Sequence, residues 1–158
     1  MEIRVKNEKG LTLVELLAVI VILAIVAAIA IPAIGNVIDN SRYKALKADA
    51  INVIHAAQFY FMEHPSADPW QEVKVRKLVS DGYLDSAGKI LEADKENQYA
   101  NVQFMNGVYY FNAHAIYYSD GKYINFDNAT LQHIADDIRK GSKGTGGKCI
   151  GRDCAASP

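Results

Sequence analysis

The chain has 158 residues, of which 22% are charged, and its formal net charge is −1. This length predicts a single domain of ordinary size, and the near-neutral charge argues against a general nucleic-acid-binding protein. The two cysteines lie close to the C-terminus, which is typical of one disulfide formed outside the cytoplasm.

The first predicted element is a long apolar segment close to the N-terminus. From Leu11 to Ile31 nearly every residue is Leu, Ile, Val or Ala, and Pro32 follows directly. About twenty apolar residues are what a helix needs to cross the hydrocarbon core of a bilayer. Glu15 lies within this run, where a charged side chain is costly to insert and indicates a functional residue that needs a partner.

A short leader, residues 1–10, precedes this run and ends in Gly10. Its positive charge predicts that the N-terminal end of the helix stays in the cytoplasm and that the chain after Pro32 faces outward. Gly10, Leu11 and Glu15, followed by the apolar helix, resemble the prepilin signature of the type IV filament family. That signature has a basic leader ending in glycine, a hydrophobic or aromatic first mature residue and a glutamate at the fifth mature position. Pro32 lies where such helices often carry a proline.

This resemblance covers about the first third of the chain and implies both its processing and its partners. A prepilin peptidase would cleave between Gly10 and Leu11, and the new α-amine of Leu11 would be N-methylated. The mature chain would be the structural subunit of a type IV pilus-like surface filament, with Leu11, Glu15 and Pro32 taking part in assembly. The implied partners are copies of the chain in a helical filament, the prepilin peptidase and a pilus assembly platform in the membrane.

The resemblance also implies a role for the buried charge and a cellular location. The carboxylate of Glu15 would face the α-amine of a neighbouring subunit, which satisfies both charges in the bilayer and sets the subunit register. The protein would cross the cytoplasmic membrane once, with its C-terminal domain outside, and would lie in an extracellular filament after assembly. Neither enzymatic activity nor a cofactor or metal is implied.

Four other interpretations stay open from the residues alone. A secretory signal peptide also has a basic start and an apolar core, and Ala28-Ile29-Ala30 would serve as its cleavage site. A plain membrane anchor explains the length of the run but neither Gly10 nor Glu15. The alternative to an assembly role for Glu15 is that its side chain reaches the nearby interface. A pseudopilin of a type II secretion or competence (DNA-uptake) machine is the alternative within the family. A membrane-anchored binding domain that does not polymerise is the alternative from another class.

Helical character continues beyond Pro32. We predict one helix from about Leu11 to His64, kinked or loosened at Pro32 and Gly35, because apolar residues recur in steps of three and four. Pro65 ends it, since a residue before proline is disfavoured in helical geometry. The predicted apolar stripe of its second half consists of Ile38, Ala45, Leu46, Ala50, Val53, Ile54, Ala57, Tyr60 and Phe61.

The pattern changes to period two in the second half of the chain. Asn106-Gly107 separates two runs of aromatic and branched residues and is a strong hairpin signal, because both central residues of a type I′ turn need a positive φ. The predicted strands are Tyr99–Met105, Val108–Tyr118 and Lys122–Phe126. Consecutive strands of this kind form an antiparallel meander with one face covered, and the helical stripe is the natural cover.

Together these elements predict an α+β fold, with a long transmembrane and amphipathic helix packed on a small antiparallel sheet of three or four strands, as in the pilin fold. Shorter helices are predicted at Gln71–Ser80 and Thr130–Lys140, the second capped by Asp127 or Asn128 with Ile138 facing inward. The predicted segments are a prepilin leader (1–10), a transmembrane and assembly half of the helix (11–35) and a globular head (36–158).

The tail from Gly141 is rich in Gly, Ser and Lys, and we predict that it is either mobile or held by a disulfide between Cys149 and Cys154. Metal ligation and an intermolecular bridge are the alternatives for the cysteines, although only His133 is a further nearby zinc ligand. The run GSKGTGGKC superficially resembles a phosphate-binding loop. Its glycine spacing, the cysteine in place of Ser or Thr and the preceding helix exclude that motif.

Catalytic and nucleic-acid-binding functions find little support in the remaining residues. The four histidines form no spaced cluster, and no nucleophile motif of the Ser or Cys type is present. The aromatic residues between Tyr99 and Phe126 are best explained as sheet and core. A surface on which nucleic-acid bases stack is the minor alternative, because it would need a basic groove beside the aromatic side chains.

Overall fold

The computed structural model describes residues 12–92, 100–152 and 154. The chain divides into two compact units, Met1–Asn36 and Val37–Pro158, which are described separately. The elements in chain order are α1 (Leu13–Glu63), β1 (Trp70–Lys74), α2 (Val75–Ser80), β2 (Asn101–Met105), β3 (Val108–Ser119), β4 (Lys122–Ala129), α3 (Leu131–Asp136) and β5 (Gly146–Gly151). A long helix packed on a mostly antiparallel sheet confirms the predicted α+β class.

The described part of the first unit is the start of α1. The helix includes both Pro32 and Gly35, so the predicted loosening at these residues does not interrupt it. Proline lacks an N–H and usually weakens a helix, but a largely apolar segment favours helical hydrogen bonds wherever water is scarce.

The second unit contains the hydrophobic core, which joins α1 to the sheet. Phe61 of α1 lies with its ring centroid 6.1 Å from those of Phe104 and Tyr109, and Tyr43 makes an edge contact with Tyr118 at 5.4 Å. The buried residues of α1 are Tyr43, Leu46, Ala50, Val53, Ile54, Ala56, Ala57 and Phe61. The predicted stripe is therefore correct over most of its length. It was wrong at Ile38 and Ala45, which are exposed, and it missed Tyr43.

The sheet has five strands in sequential order, two more than the predicted meander. The hairpin between β2 and β3 is present, and Asn106 and Gly107 both have a positive φ, at 51° and 82°. β1 lies antiparallel to β2, although its residues were predicted to belong to a connector and a helix from Gln71. The prediction was wrong because β1 buries one side chain, Val73, opposite Val102, which leaves no visible alternation.

β5 pairs with β4 in parallel, within the tail that was predicted to be mobile or held by the disulfide. The sequence pattern did not indicate this strand, because Ile150 is its only buried residue. A glycine is required at position 151 for a steric reason. A Cβ placed on Gly151 would lie 1.8 Å from the backbone oxygen of Asp127 in β4, so a larger residue would separate the strands.

The last helix, α3, is shorter than predicted and differently capped. Thr130 is its N-cap, and the Thr130 hydroxyl accepts a hydrogen bond from the backbone N–H of His133 (3.3 Å). The helix ends at Asp136, and Ile138, predicted to face inward, is 93% exposed. The physical reason lies at Asp137, which leaves helical geometry with ψ at 106° and turns toward α1.

Asp137 is the centre of a polar cluster between α1 and the residues after α3. The Tyr43 hydroxyl donates to Oδ2 of Asp137 (2.6 Å), and Lys47 forms an ion pair with the same oxygen (3.3 Å). Arg139 donates from Nε to Oδ1, so both carboxylate oxygens are occupied. The Asp137 side chain is only 5% exposed, and the cluster therefore fixes the segment that follows α3 onto the long helix.

A second set of polar contacts continues this attachment toward β5. Lys122 donates to the carboxylate of Asp39 (2.6 Å), and the Asn40 side chain accepts from the backbone N–H of Ser142 (2.9 Å). Gly141 lies directly against α1, where an added Cβ would be 2.5 Å from both the Asp39 carbonyl oxygen and the Tyr43 Cβ. Residues 137–148, here named the clamp, are thus held against α1 by specific polar contacts and by the close approach of Gly141.

The clamp makes stability depend on pH. Burial alone would raise the pKa of Asp137, but hydrogen bonds from Tyr43 and Arg139 outweigh it and hold the pKa below its usual value; hydrogen bonding to Lys122 also lowers the pKa of Asp39. Both carboxyls therefore stabilise the fold above their unfolded pKa of about 3.9, and this contribution disappears as the pH falls through the lower folded values. We expect Tm, measured for the full chain in neutral detergent, to fall below about pH 4.

Asp49 is a useful control, because its pKa is shifted in the opposite direction to those of Asp137 and Asp39. Burial raises the pKa of its carboxyl, so protonation of Asp49 in acid offsets part of the loss from the clamp. Asp49→Asn should therefore lose more stability than the wild type between pH 7 and pH 3, whereas Asp137→Asn should lose less. Parallel pH profiles for all three proteins would contradict this assignment.

Candidate assembly segment

The N-terminal end of α1 is closed by a reciprocal set of hydrogen bonds between Thr12 and Glu15. The N–H and the hydroxyl of Thr12 both donate to Oε2 of Glu15, at 2.8 and 2.9 Å, and the Glu15 N–H donates to the Thr12 hydroxyl (3.3 Å). This is a capping box, which satisfies backbone donors that the first helical turn leaves free. Thr12 was not among the predicted site residues, although Thr12-Leu13-Val14-Glu15 has the spacing of a capping box.

From Leu16 to Ile34, α1 carries apolar side chains on every side. Its most apolar window of eighteen residues has a mean hydropathy of 3.1, and none of it is buried within the chain. Leu13 is 83% exposed and Ile29 is 71% exposed. The helix is long and apolar enough to cross a membrane, a property that a signal sequence near an N-terminus shares. So large an apolar surface needs lipid or other helices as its neighbour.

The predicted site residues do not form one site in the described structure. Gly10 and Leu11 lie outside the described residues, so cleavage and methylation there stay predictions. Glu15 lies in the first turn of α1, and Pro32 lies well inside the same helix. Cys149 and Cys154 belong to the other unit, where they form a disulfide.

The disulfide also bears on the metal alternative for these cysteines. Asp127, Cys149 and Cys154 bring one ligand atom each within 4.8 Å of one another. However, both sulfurs are bonded to each other, and a metal ligand would have to be a thiolate. The carboxylate of Asp127 contacts His114 through Oδ1. In the oxidised chain this group is therefore a structural cross-link beside β5.

Comparison with known proteins gives one finding, and it falls on the start of α1. No curated protein and no solved structure matches the chain. A family model described as the prokaryotic N-terminal methylation motif matches residues 5–31, which include Gly10, Leu11 and Glu15 and end just before Pro32. The chain therefore carries the type IV prepilin signature, which indicates a type IV pilin-like or pseudopilin protein.

Proposed function

We propose that the chain is the structural subunit of a type IV pilus-like surface filament, cleaved after Gly10 and polymerised through its N-terminal helix. The observation that carries this proposal is the position of Glu15, a carboxylate in the first turn of α1, directly before a part of the helix (Leu16–Ile34) that has no polar face. A plain anchor has no use for such a charge, because inserting it into a bilayer costs free energy.

The capping box leaves Glu15 able to accept a further partner. Both bonds from Thr12 go to Oε2, and within the described part of the chain no hydrogen bond reaches Oε1. Cleavage after Gly10 would create an α-amine at Leu11, and the same step in a neighbouring subunit would supply an ammonium group for the free oxygen. Each pair would remove two charges from contact with lipid and align one helix against the next.

The core of the second unit supports different roles for the two halves of α1. This core is built largely from α1 residues after Asn36 together with the sheet, and none of the described residues from Thr12 to Asn36 belongs to that core. The apolar residues from Leu13 to Asn36 are therefore available to lipid before assembly and to neighbouring helices afterwards. The head would face outward from the cytoplasmic membrane, as the positive leader predicts.

Processing is the first test of this function. We expect co-expression of the full chain with a prepilin peptidase to yield a mature N-terminus at Leu11 with one added methyl group, because Gly10 leaves the peptide bond accessible. Intact mass and N-terminal sequencing measure this directly. A mature terminus at Ile31 would instead establish a cleaved secretory signal.

Filament formation is the second part of the same test. Cells that make the processed chain should carry surface filaments that bind antibody raised against residues after Ser41. Correct processing without such filaments would contradict the pilin function and favour a pseudopilin. An unprocessed chain that stays in the membrane would favour the non-polymerising binding domain.

A further inference from the structure

An open pocket of about 440 Å³ lies on the clamp, in the second unit. Its volume falls within the range of about 300–1,000 Å³ that small-molecule sites occupy. The lining residues are Ile138, Arg139, Lys140, Lys143, Gly144 and Lys148. Four of these six residues carry a positive charge, and no lining residue carries a negative charge.

This concentration of charge is local, because the whole chain has a net charge of −1. The only acidic residue in the clamp is Asp137, whose two carboxylate oxygens are already bound to Tyr43, Lys47 and Arg139. Burial and the neighbouring Arg139 and Lys122 lower the pKa of Lys148. Among the described residues, Lys140, Lys143 and Lys148 form no ion pair with a carboxylate, so the pocket has three lysines whose charge is not directly paired.

The four cations differ in how far they are already engaged. Arg139 donates to Asp137 and, through Nη2, to the carbonyl oxygen of Cys149 (2.6 Å). Lys148 donates to the carbonyl oxygen of Lys143 (2.6 Å) and to the Tyr118 hydroxyl (3.3 Å). The ammonium groups of Lys140 and Lys143 form no hydrogen bond or ion pair in the part of the chain that the structure describes. Two cations thus shape the pocket, and two have their donors free.

We propose that this pocket binds the phosphate group of a phosphorylated ligand. A planar carboxylate is best bound by a free guanidinium fork, but the Arg139 fork is already used. Lysines act as point charges with several rotatable donors, and a group of them suits the compact, doubly charged phosphate. Ile138, which is 93% exposed at the edge, would contact an apolar part of the molecule that bears the phosphate. This inference does not rest on the proposed filament function.

The first experiment needs no variant. The lysines of the full chain, held in neutral detergent, are acetylated with and without inorganic phosphate, and the rate at each lysine is read by mass spectrometry. We expect phosphate to slow modification of Lys140 and Lys143 but not of Lys74 and Lys89, which are exposed elsewhere in the same unit. Equal slowing at all four lysines, or none, would overturn the proposal.

The second experiment is calorimetric titration of paired variants. Lys140→Gln with Lys143→Gln should weaken binding of inorganic phosphate about five- to thirtyfold, while the matched pair Lys74→Gln with Lys89→Gln, of the same net charge, should bind as the wild type does. The affinities of glycerol 3-phosphate and adenosine monophosphate are then compared. Tighter binding of glycerol 3-phosphate would indicate a lipid headgroup as the source of the phosphate, and tighter binding of adenosine monophosphate would indicate a nucleotide. Equal weakening in both pairs, or glucuronate bound as tightly as phosphate, would refute a phosphate site.

Discussion

Replacing Glu15 with alanine should leave the precursor in the membrane at normal levels and reduce the number of surface filaments at least tenfold. Removing the charge makes insertion of the helix easier, so the membrane level does not fall. Assembly suffers because the α-amine of a neighbouring subunit loses its partner in a medium of low dielectric constant. Immunoblots of membrane fractions and electron microscopy of the cells measure the two quantities separately.

Two further variants separate this charge from the capping box. Glu15→Gln keeps an oxygen that accepts from Thr12 but has no negative charge, and Thr12→Ala removes the hydroxyl but keeps the carboxylate. If pairing drives assembly, the glutamine variant should resemble the alanine variant and the Thr12 variant should still form filaments. The opposite ranking would mean that Glu15 acts by starting the helix.

Asp137→Ala should reduce the free energy of unfolding by about 3 kcal/mol, as expected when one partner of a buried ion pair is removed. The Asp137 side chain is 5% exposed and binds Tyr43, Lys47 and Arg139 together. Its loss leaves the Tyr43 hydroxyl and the Lys47 ammonium without their carboxylate inside the fold. Denaturant unfolding of the full chain in neutral detergent, followed by circular dichroism, measures the change.

Asp136→Ala is the matched control for this variant. Asp136 is the preceding residue and is exposed, and we expect its replacement to change the free energy of unfolding by less than about 0.5 kcal/mol. Equal losses in the two variants would show that the acidic end of α3, and not the contact with α1, is responsible. A loss confined to Asp137 would identify the clamp as a main source of stability in the head.

The sequence predicted those parts of the fold that depend on neighbours in the chain. The Asn106-Gly107 hairpin is an example, because the turn needs only two residues that tolerate a positive φ. The stripe of α1 is another, since helical spacing alone places Leu46 and Val53 on one face. In both cases the information lies within a few residues of the element itself.

β5 and the clamp could not be predicted in this way. Their stability comes from contacts with distant residues, such as Asp137 with Tyr43 and Ser142 with Asn40. Three of the glycines that suggested a mobile tail, Gly141, Gly147 and Gly151, are needed because α1 or β4 approaches too closely for a Cβ. The pocket escaped notice for the same reason, since its lysines look like an ordinary solvated run until the backbone folds around them.

The residues at the start of α1 were predictable from an unusual residue and a motif, and not from the spacing of apolar residues. Glu15 was identified because a lone carboxylate in an apolar run is exceptional, and the matched methylation motif covers it. Its hydrogen bonds with Thr12 follow from a short local pattern, the capping-box spacing of Thr12 and Glu15. The proposed roles of Gly10 and Leu11 rest on recognition by a peptidase, which the structure of the isolated chain does not test.

The polar attachment of the clamp has a consequence for the order in which this protein can mature. α1 is synthesised first, but the partner of Tyr43 follows 94 residues later and that of Asn40 follows 102 residues later. Helices form in microseconds, whereas a ribosome adds about 5–20 residues each second, so α1 waits seconds for the groups that complete its surroundings. During that interval the contacts of Tyr43 with Asp137 and of Asn40 with Ser142 are missing. We therefore expect the head to reach its native state only after the clamp and β5 have been synthesised, so that folding of the head is completed by the C-terminal part of the chain.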